Sequence, residues 1–315
     1  MSNISTMISI CIPVYNFDVT ELTNSLLEQA DRIGYPIEIL LFDDHSLSYF
    51  KKVNAQLNSR KDVNYLEFDF NIGRSKIRNR LADFASGHWL LFLDCDMMID
   101  DPDFLKGYVD SLNKAQVICG GFKYSKKPFR EELILRWKYG VFRECKKAIL
   151  RQLSPYNSFM SGNFLITSEA FHSIRFNEEI SGYGHEDTVF GINLKRRKVP
   201  ILHIDNPSFH LGLEPCFDFL QKSEQSVINL SKLMRNAPDL RKDLERSVRV
   251  LKVFKILRIL GLTMPLRWVF RAINPIIRRS LCSKHPSLLM FDVYKLALLA
   301  KLYSKGWMSS ISKYF

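Results

Sequence analysis

The chain has 315 residues, an apolar share of 46%, a charged share of 25% and a formal net charge of +12. That length fits one large domain with an appendage, or two domains, of ordinary globular composition. No uninterrupted apolar run approaches the ~20 residues that span a bilayer, which argues against a membrane-spanning chain. Cys11, Cys95, Cys119, Cys145, Cys216 and Cys282 are scattered, with no CxxC and no metal-finger spacing; they read as reduced thiols of a cytosolic protein. Residues Met1 to Thr6 lack the basic start and long apolar stretch of a signal peptide, so a cytosolic location is expected. The charge is unevenly placed. From Arg246 to Phe315 there are fourteen Lys or Arg and one acid, Asp292, a balance of +13, so residues 1–245 carry 12 − 13 = −1.

In chain order, Ile8–Val14 reads as a strand that runs through Pro13 into a loop at Tyr15 and Asn16. A helix follows over 18–30, with Leu22, Leu26, Leu27 and Ala30 on one side. Pro36–Phe42 is a second apolar strand, ending in Asp43 and Asp44. Then come a helix over 49–59, a strand over 63–68, and a helix over 72–85 that opens with Arg74, Lys76, Arg78 and Arg80. Leu90–Leu93 is a short buried strand that delivers Asp94, Cys95 and Asp96 to its C-terminal end. The β-α-β alternation implies a doubly wound, mostly parallel sheet of the α/β class. The second half predicts strands over 117–124, 160–166 and 199–204, a charged helix over 130–151 and a short helix over 169–173. A glycine-flexible loop, Gly182–Asp187, runs into a helix over about 187–197, which puts Glu186 and Asp187 at a helix N-terminus.

The two strand-end acid pairs carry the chemistry. If the extended geometry continues through Asp94 and Asp96, their side chains project to one side and repel unless a cation or donor lies between them. A hard divalent ion such as Mg²⁺ or Mn²⁺ takes such oxygens and shares them with substrate phosphates. A polar turn after a strand explains the same two residues without any ion.

The series Ile12-Pro13-Val14-Tyr15-Asn16, Asp43-Asp44, Asn71-Ile72-Gly73-Arg74 with Arg78-Asn79, Asp94-Cys95-Asp96, Ser161-Gly162-Asn163, Gly182-Tyr183-Gly184-His185-Glu186-Asp187 and His210 resembles the GT-A glycosyltransferases of family 2 over roughly residues 6–230. The later half is most similar to chondroitin-polymerase modules and β-1,4-galactosyltransferases; Tyr183 and His185 stand where their Trp and second Gly would. The resemblance implies a GT-A fold and metal-dependent, inverting transfer from a nucleotide sugar, most simply a UDP-sugar. It assigns Asp94, Asp96 and His210 to Mn²⁺ or Mg²⁺. Pro13, Tyr15, Asp44, Arg74, Arg78, Asp94, Gly162 and Asn163 go to the nucleotide sugar, Asp44 accepting a base N–H. Asp187 becomes the base and Glu186 a sugar-hydroxyl ligand; a helix N-cap is the alternative for these acids. His185 and His203 read as structural.

The implied acceptor is a glycan or lipid-linked glycan of bacterial cell-surface polysaccharide assembly. A nucleotidyltransferase is one alternative, but it would show a Gly-rich, basic loop where Pro13–Phe17 stands without glycine. A non-catalytic nucleotide-sugar-binding module is another, and has no need of Glu186 and Asp187. The organisation expected is a catalytic domain over 1–235 and a basic, amphipathic helical appendage over 236–315. On a helical wheel over 249–260, Val250, Val253, Phe254, Ile256, Leu257 and Leu260 lie opposite Lys252, Lys255 and Arg258. The mixture of apolar and basic groups continues through 265–279, 292–301 and 307–315. That make-up suits an anionic membrane surface, here the inner face of the cytoplasmic membrane. Packing against the catalytic domain or a second copy is the alternative, and nucleic acid is not expected.

Overall fold

The computed structural model describes residues 7–303; the 307–315 part of the amphipathic pattern lies outside them. The elements are β1 (Ile8–Val14), α1 (Thr20–Ile33), β2 (Ile37–Asp43), α2 (Ser48–Ala55), β3 (Val63–Glu67), α3 (Arg74–Phe84), β4 (Trp89–Leu93), β5 (Met97–Met98), α4 (Phe104–Val109), β6 (Val117–Cys119), β7 (Phe122–Lys123) and α5 (Ile134–Tyr139). They continue with α6 (Ala148–Gln152), β8 (Asn163–Thr167), α7 (Ser168–Ile174), α8 (Glu186–Arg196), β9 (Ile201–His203), β10 (Ser208–His210), α9 (Cys216–Asn236), α10 (Arg241–Ser247), α11 (Arg249–Ile259), α12 (Thr263–Leu281) and α13 (Leu288–Leu302). Contacts divide the chain into one unit of residues 1–125, 142–181 and 186–212, and another of 126–141, 182–185 and 213–315. The second unit thus starts earlier than residue 236 and takes in α9.

The first unit is built on a seven-stranded sheet, β3-β2-β1-β4-β8-β6-β9, with only β8 antiparallel to its neighbours. Its central strands are apolar on both faces because helices cover both. Ile8, Ile10 and Ile12 point into one core with Leu22 and Leu26 of α1; Cys11, Leu90 and Phe92 point into the other with Ile77 and Leu81 of α3. Each fully buried Leu or Ile contributes roughly 1.5–3 kcal/mol. The strands that follow β4 and β6 in the chain, β5 and β7, join β10 in a second sheet, β5-β10-β7, which pairs Met97 with His210.

Three local expectations change. The strand expected over 117–124 breaks into β6 and β7 at Gly120 and Gly121, where a Cβ would lie 2.4 Å from the Asn206 carbonyl oxygen and 2.7 Å from an Arg151 Nη. The helix expected over 130–151 is instead a 3₁₀ turn, α5, a π turn over Gly140–Glu144 and α6. Buried Arg151 fixes α6 locally by donating to the carbonyls of Cys119, Gly120 and Ile204. Finally, β4 ends at Leu93 as expected, but the extended geometry does not continue through Asp94 and Asp96, which sit in a turn closed by Met97 N–H to the Asp94 carbonyl, 3.3 Å.

The second unit is helical. Its core gathers Leu135, Phe219, Leu220, Phe270, Ile277, Phe291 and Tyr294. Here the expectation of six free thiols fails. Cys216, the first residue of α9, and Cys282, just past α12, form a disulfide with Cα atoms 5.4 Å apart; the other four cysteines are free. The two lie 66 positions apart in sequence, so nothing in the local sequence announces the pair. Among the described residues no helix is long and apolar enough to cross a membrane.

Candidate active site

Asp94 receives two anchors. Its backbone N–H donates to the Gly162 carbonyl at 3.1 Å, and its carboxylate takes an Arg78 Nη in direct contact. Arg78 is 2% exposed and also donates to the Arg74 carbonyl at 3.1 Å. Burial pushes the Asp94 carboxyl up, but Arg78 and Arg74 outweigh it and hold the group below the ordinary carboxylate value. Asp94 is therefore an anion at neutral pH. A side chain at Gly162 would meet it: a Cβ there would lie 2.6 Å from Asp94 Oδ2.

Asp96 is held by the small sheet. Its carbonyl accepts the Leu211 N–H at 2.9 Å, and its Oδ2 faces His210 Nε2 at 3.7 Å, beyond hydrogen-bond reach. The His210 ring stacks on Tyr124, centroids 5.4 Å apart and 24° between planes, with Phe122 edge-on at 6.1 Å. Its Nδ1 is buried without a hydrogen-bond partner. A Cβ at Gly212 would lie 1.9 Å from Asp96 Oδ2, so only glycine leaves that carboxylate in place. Among the described residues no three His, Cys, Asp or Glu side chains converge closely enough to hold an ion alone. Asp94, Asp96 and the orphaned His210 ring still form an oxygen-and-imidazole set that fits a divalent ion whose remaining ligands come from elsewhere.

Two arginines one turn apart on α3 connect this set with the second acid pair. Arg78 grips Asp94, while Arg74 Nη1 lies 4.0 Å from Glu186 Oε1. Glu186 is buried at the start of α8. Next to it, Asp187 is pushed up to about 7, first by burial and then by the Glu186 charge. Its Oδ1 accepts the Thr188 N–H at 2.7 Å. A half-buried carboxyl poised near neutral pH is suited to proton transfer.

The remaining positions are farther apart in role. Tyr15 is 53% exposed beyond the end of β1, and half-buried Pro13 pairs in register with Phe42. The Asp44 carboxylate accepts the N–H groups of Ile72 at 2.6 Å and Gly73 at 3.0 Å, fixing the turn that launches α3. Burial leads the causes that raise its pKa. Asn163 is buried, and its amide is engaged by Tyr108, Gly121 and Asn206; it positions the β6–β8 strand ends. His203, expected to be structural, is bonded to Arg151 at 2.8 Å and the Pro155 carbonyl at 3.0 Å, and burial pushes it down to about 4. Sequence reasoning missed Tyr124 and Gly212. The only signal for Gly212 was its place two residues after His210.

Residues 9–174, just over half the chain, match the family described as glycosyl transferase family 2. No curated protein matches the chain. Among solved structures it is similar to residues 1–349 of TarS from S. aureus, with 17% identity, a TM-score of 0.54, and 98% of this chain and 92% of that one covered. It is also similar to the mannosyltransferase PcManGT from Pyrobaculum calidifontis, solved with GDP-Man and Mn²⁺, with 14% identity, a TM-score of 0.55, and 95% and 88% covered. At these identities the likeness is one of fold.

Proposed function

The chain belongs to glycosyl transferase family 2, and from that premise we propose a metal-dependent, inverting glycosyltransferase that moves a sugar from a UDP-sugar to a glycan or lipid-linked glycan acceptor. The observation that carries the reading is the arginine-bridged pair of acid sites, one ionised at Asp94 and one raised to about 7 at Asp187. Asp187 accepts the acceptor hydroxyl's proton as that oxygen attacks the anomeric carbon, and Glu186 orients a sugar hydroxyl. Arg74, less buried than Arg78, faces the departing diphosphate, while Arg78 holds Asp94 in register. Tyr15 and Pro13 wall the base. Asp44 retains acceptor capacity for a base N–H, because a carboxylate offers about four lone-pair sites and two are used. Asp94, Asp96 and His210 would hold Mn²⁺ or Mg²⁺, which supplies Lewis-acid stabilisation of the diphosphate when bound. Attack in a single displacement turns an α-linked donor into a β-linked product.

The acceptor would belong to bacterial cell-surface polysaccharide assembly, with the enzyme docked on the inner face of the cytoplasmic membrane. Support for docking comes from α11 and α12. Ile256 (56%), Trp268 (69%) and Ile276 (68%) are exposed on helices that also carry Lys252, Lys255, Arg267 and Arg271, and each cation near an anionic leaflet contributes on the order of 1 kcal/mol.

Calorimetric titration of UDP into the protein with Mn²⁺ tests the site. Wild type should bind, and Asp96→Ala and His210→Ala should lose the Mn²⁺-dependent part. Asp187→Asn should bind normally while losing ~10²–10⁴-fold in kcat. Equal UDP binding by wild type and Asp96→Ala would overturn the metal assignment.

A further inference from the structure

The helical unit encloses a cavity of about 350 Å³ that contains none of the residues assigned above to the donor, the ion or proton transfer. Its size falls within the ~300–1,000 Å³ of small-molecule sites. The inner wall is apolar and buried: Phe219, Val227 and Leu230 of α9, and Phe291 and Leu296 of α13. The rim is also apolar, yet exposed, with Val253 at 40%, Leu289 at 71% and Val293 at 39%. A mouth of solvent-exposed aliphatic groups leading to a buried apolar chamber has little to offer a polar metabolite. Removing both surfaces from water is favourable when a hydrocarbon chain fills them.

The polar groups define the head of that ligand. Lys295 and Arg249 line the cavity with a single carboxylate, Asp292, which lies 3.4 Å from Lys295. His185 adds no charge at neutral pH, since burial and then Lys295 push it down to about 4. Lys295 is paired with Asp292 and lies over the Tyr139 and Phe291 rings, so exposed Arg249 leaves the lining with one cation more than carboxylate, a balance that favours an anion.

One wall is the short segment that leads directly into Glu186 and Asp187. Tyr183 and His185 line the cavity. The segment is tied to α9 by Asn229 donating to the Tyr183 carbonyl at 3.1 Å. Gly184, at φ +100°, packs so closely that a Cβ would lie 2.5 Å from Ser226 Oγ. His185 itself adopts φ +73°, a left-handed conformation uncommon outside glycine.

We propose that this cavity binds the hydrocarbon chain of an anionic amphiphile, its head group meeting exposed Arg249 at the rim, with the Lys295–Asp292 pair on the wall behind it. Val250 and Val253 of α11 belong both to the amphipathic face described above and to the cavity lining, whereas Trp268 and Ile276 of α12 do not line it, so the chain site is tested without membranes and with those two positions as the membrane control.

Alkyl phosphates of about six to twelve carbons, kept below micelle formation, are titrated into the full chain by calorimetry. One equivalent should bind, with affinity rising about fourfold per methylene, the equivalent of ~0.8 kcal/mol per buried CH₂, until the chamber is full. Decyl phosphate should bind at least tenfold more tightly than decyltrimethylammonium, and inorganic phosphate should not compete. Leu289→Glu and Val293→Glu alter exposed rim positions and should weaken binding at least tenfold with an unchanged melting temperature. Leu230→Trp fills the chamber from inside, and the rim variants decide the matter if it does not fold. Trp268→Glu with Ile276→Glu should abolish liposome binding and leave alkyl phosphate binding intact, so membrane docking and the chain site fail separately. Absence of saturable binding, no chain-length dependence, or full binding by both rim variants would overturn the proposal.

Discussion

The sharpest consequence of the site lies in the pH dependence of Asp187. Burial and the neighbouring Glu186 push this carboxyl up to about 7, and a base works only when deprotonated. Transfer should therefore rise tenfold per pH unit up to about pH 7 and then level off. At pH 5, two units below that value, roughly 1% of Asp187 is ionised, whereas an ordinary carboxyl at ~3.9 would be more than roughly 90% ionised. Glu186→Gln removes the second cause but not the first, so the acid limb should move down yet stay above that of an ordinary carboxyl. Stability gives an independent reading. An acid whose folded-state value exceeds its unfolded one penalises the native state for ionising it; the penalty is absent below about pH 4 and grows as pH rises through 7. Asp187→Asn should then stabilise the fold by on the order of a few kcal/mol at pH 8 and by nothing at pH 4, while losing activity. The assays are initial rates of UDP release from pH 5 to 9 and urea unfolding at both pH values. A rate that is flat from pH 5 to 8, or an Asp187→Asn protein no more stable at pH 8, would refute the reasoning.

Other consequences are as direct. Arg78→Met leaves the Asp94 carboxylate without its partner and should destabilise by roughly 3 kcal/mol in urea unfolding, the lower end for a broken buried pair, because a quarter of the Asp94 side chain still meets water; Asp94→Asn in that background should restore part of it. Gly212→Ala drives a methyl into the Asp96 carboxylate and should cost about 10²-fold in kcat/KM, the scale of an ångström-sized misplacement, with an unaltered circular dichroism spectrum; wild-type activity would show that Asp96 need not sit where it does. The full chain should sediment with anionic but not neutral liposomes at low salt, and Trp268→Glu with Ile276→Glu should leave it in the supernatant; unchanged sedimentation would move the membrane contact elsewhere.

Much of this was legible in the residues, for identifiable reasons. Strands buried on both faces read as apolar runs, so β1, β2 and β4 and the acids at their ends could be located from the sequence. The start of α8 was visible because the glycines before Glu186 mark a loop. What escaped depends on long-range geometry. β5 and β10 are only two and three residues long and exist because Met97 and His210 meet across more than a hundred positions. The Asp94–Asp96 turn goes with that pairing, so whether extended geometry continued past Leu93 could not be settled from period-two reasoning. Gly120 and Gly121 break a strand because of what packs against them, and the Cys216–Cys282 bond depends on how α9 and α12 pack. Neither can be seen in a window of sequence. The family resemblance assigned Arg78 to the nucleotide sugar, and only its burial in the structure singles it out as the partner of Asp94.

The central claim is transfer from a nucleotide sugar that depends on Asp94, Asp96 and His210 holding a divalent ion. UDP release from a panel of UDP-sugars, with Mn²⁺ and then with excess EDTA, tests it most directly. At least one donor should be turned over with Mn²⁺, the rate should fall to background in EDTA, and Asp96→Ala should match that background in Mn²⁺. Undiminished turnover in EDTA, or turnover by Asp96→Ala equal to wild type, would contradict the account.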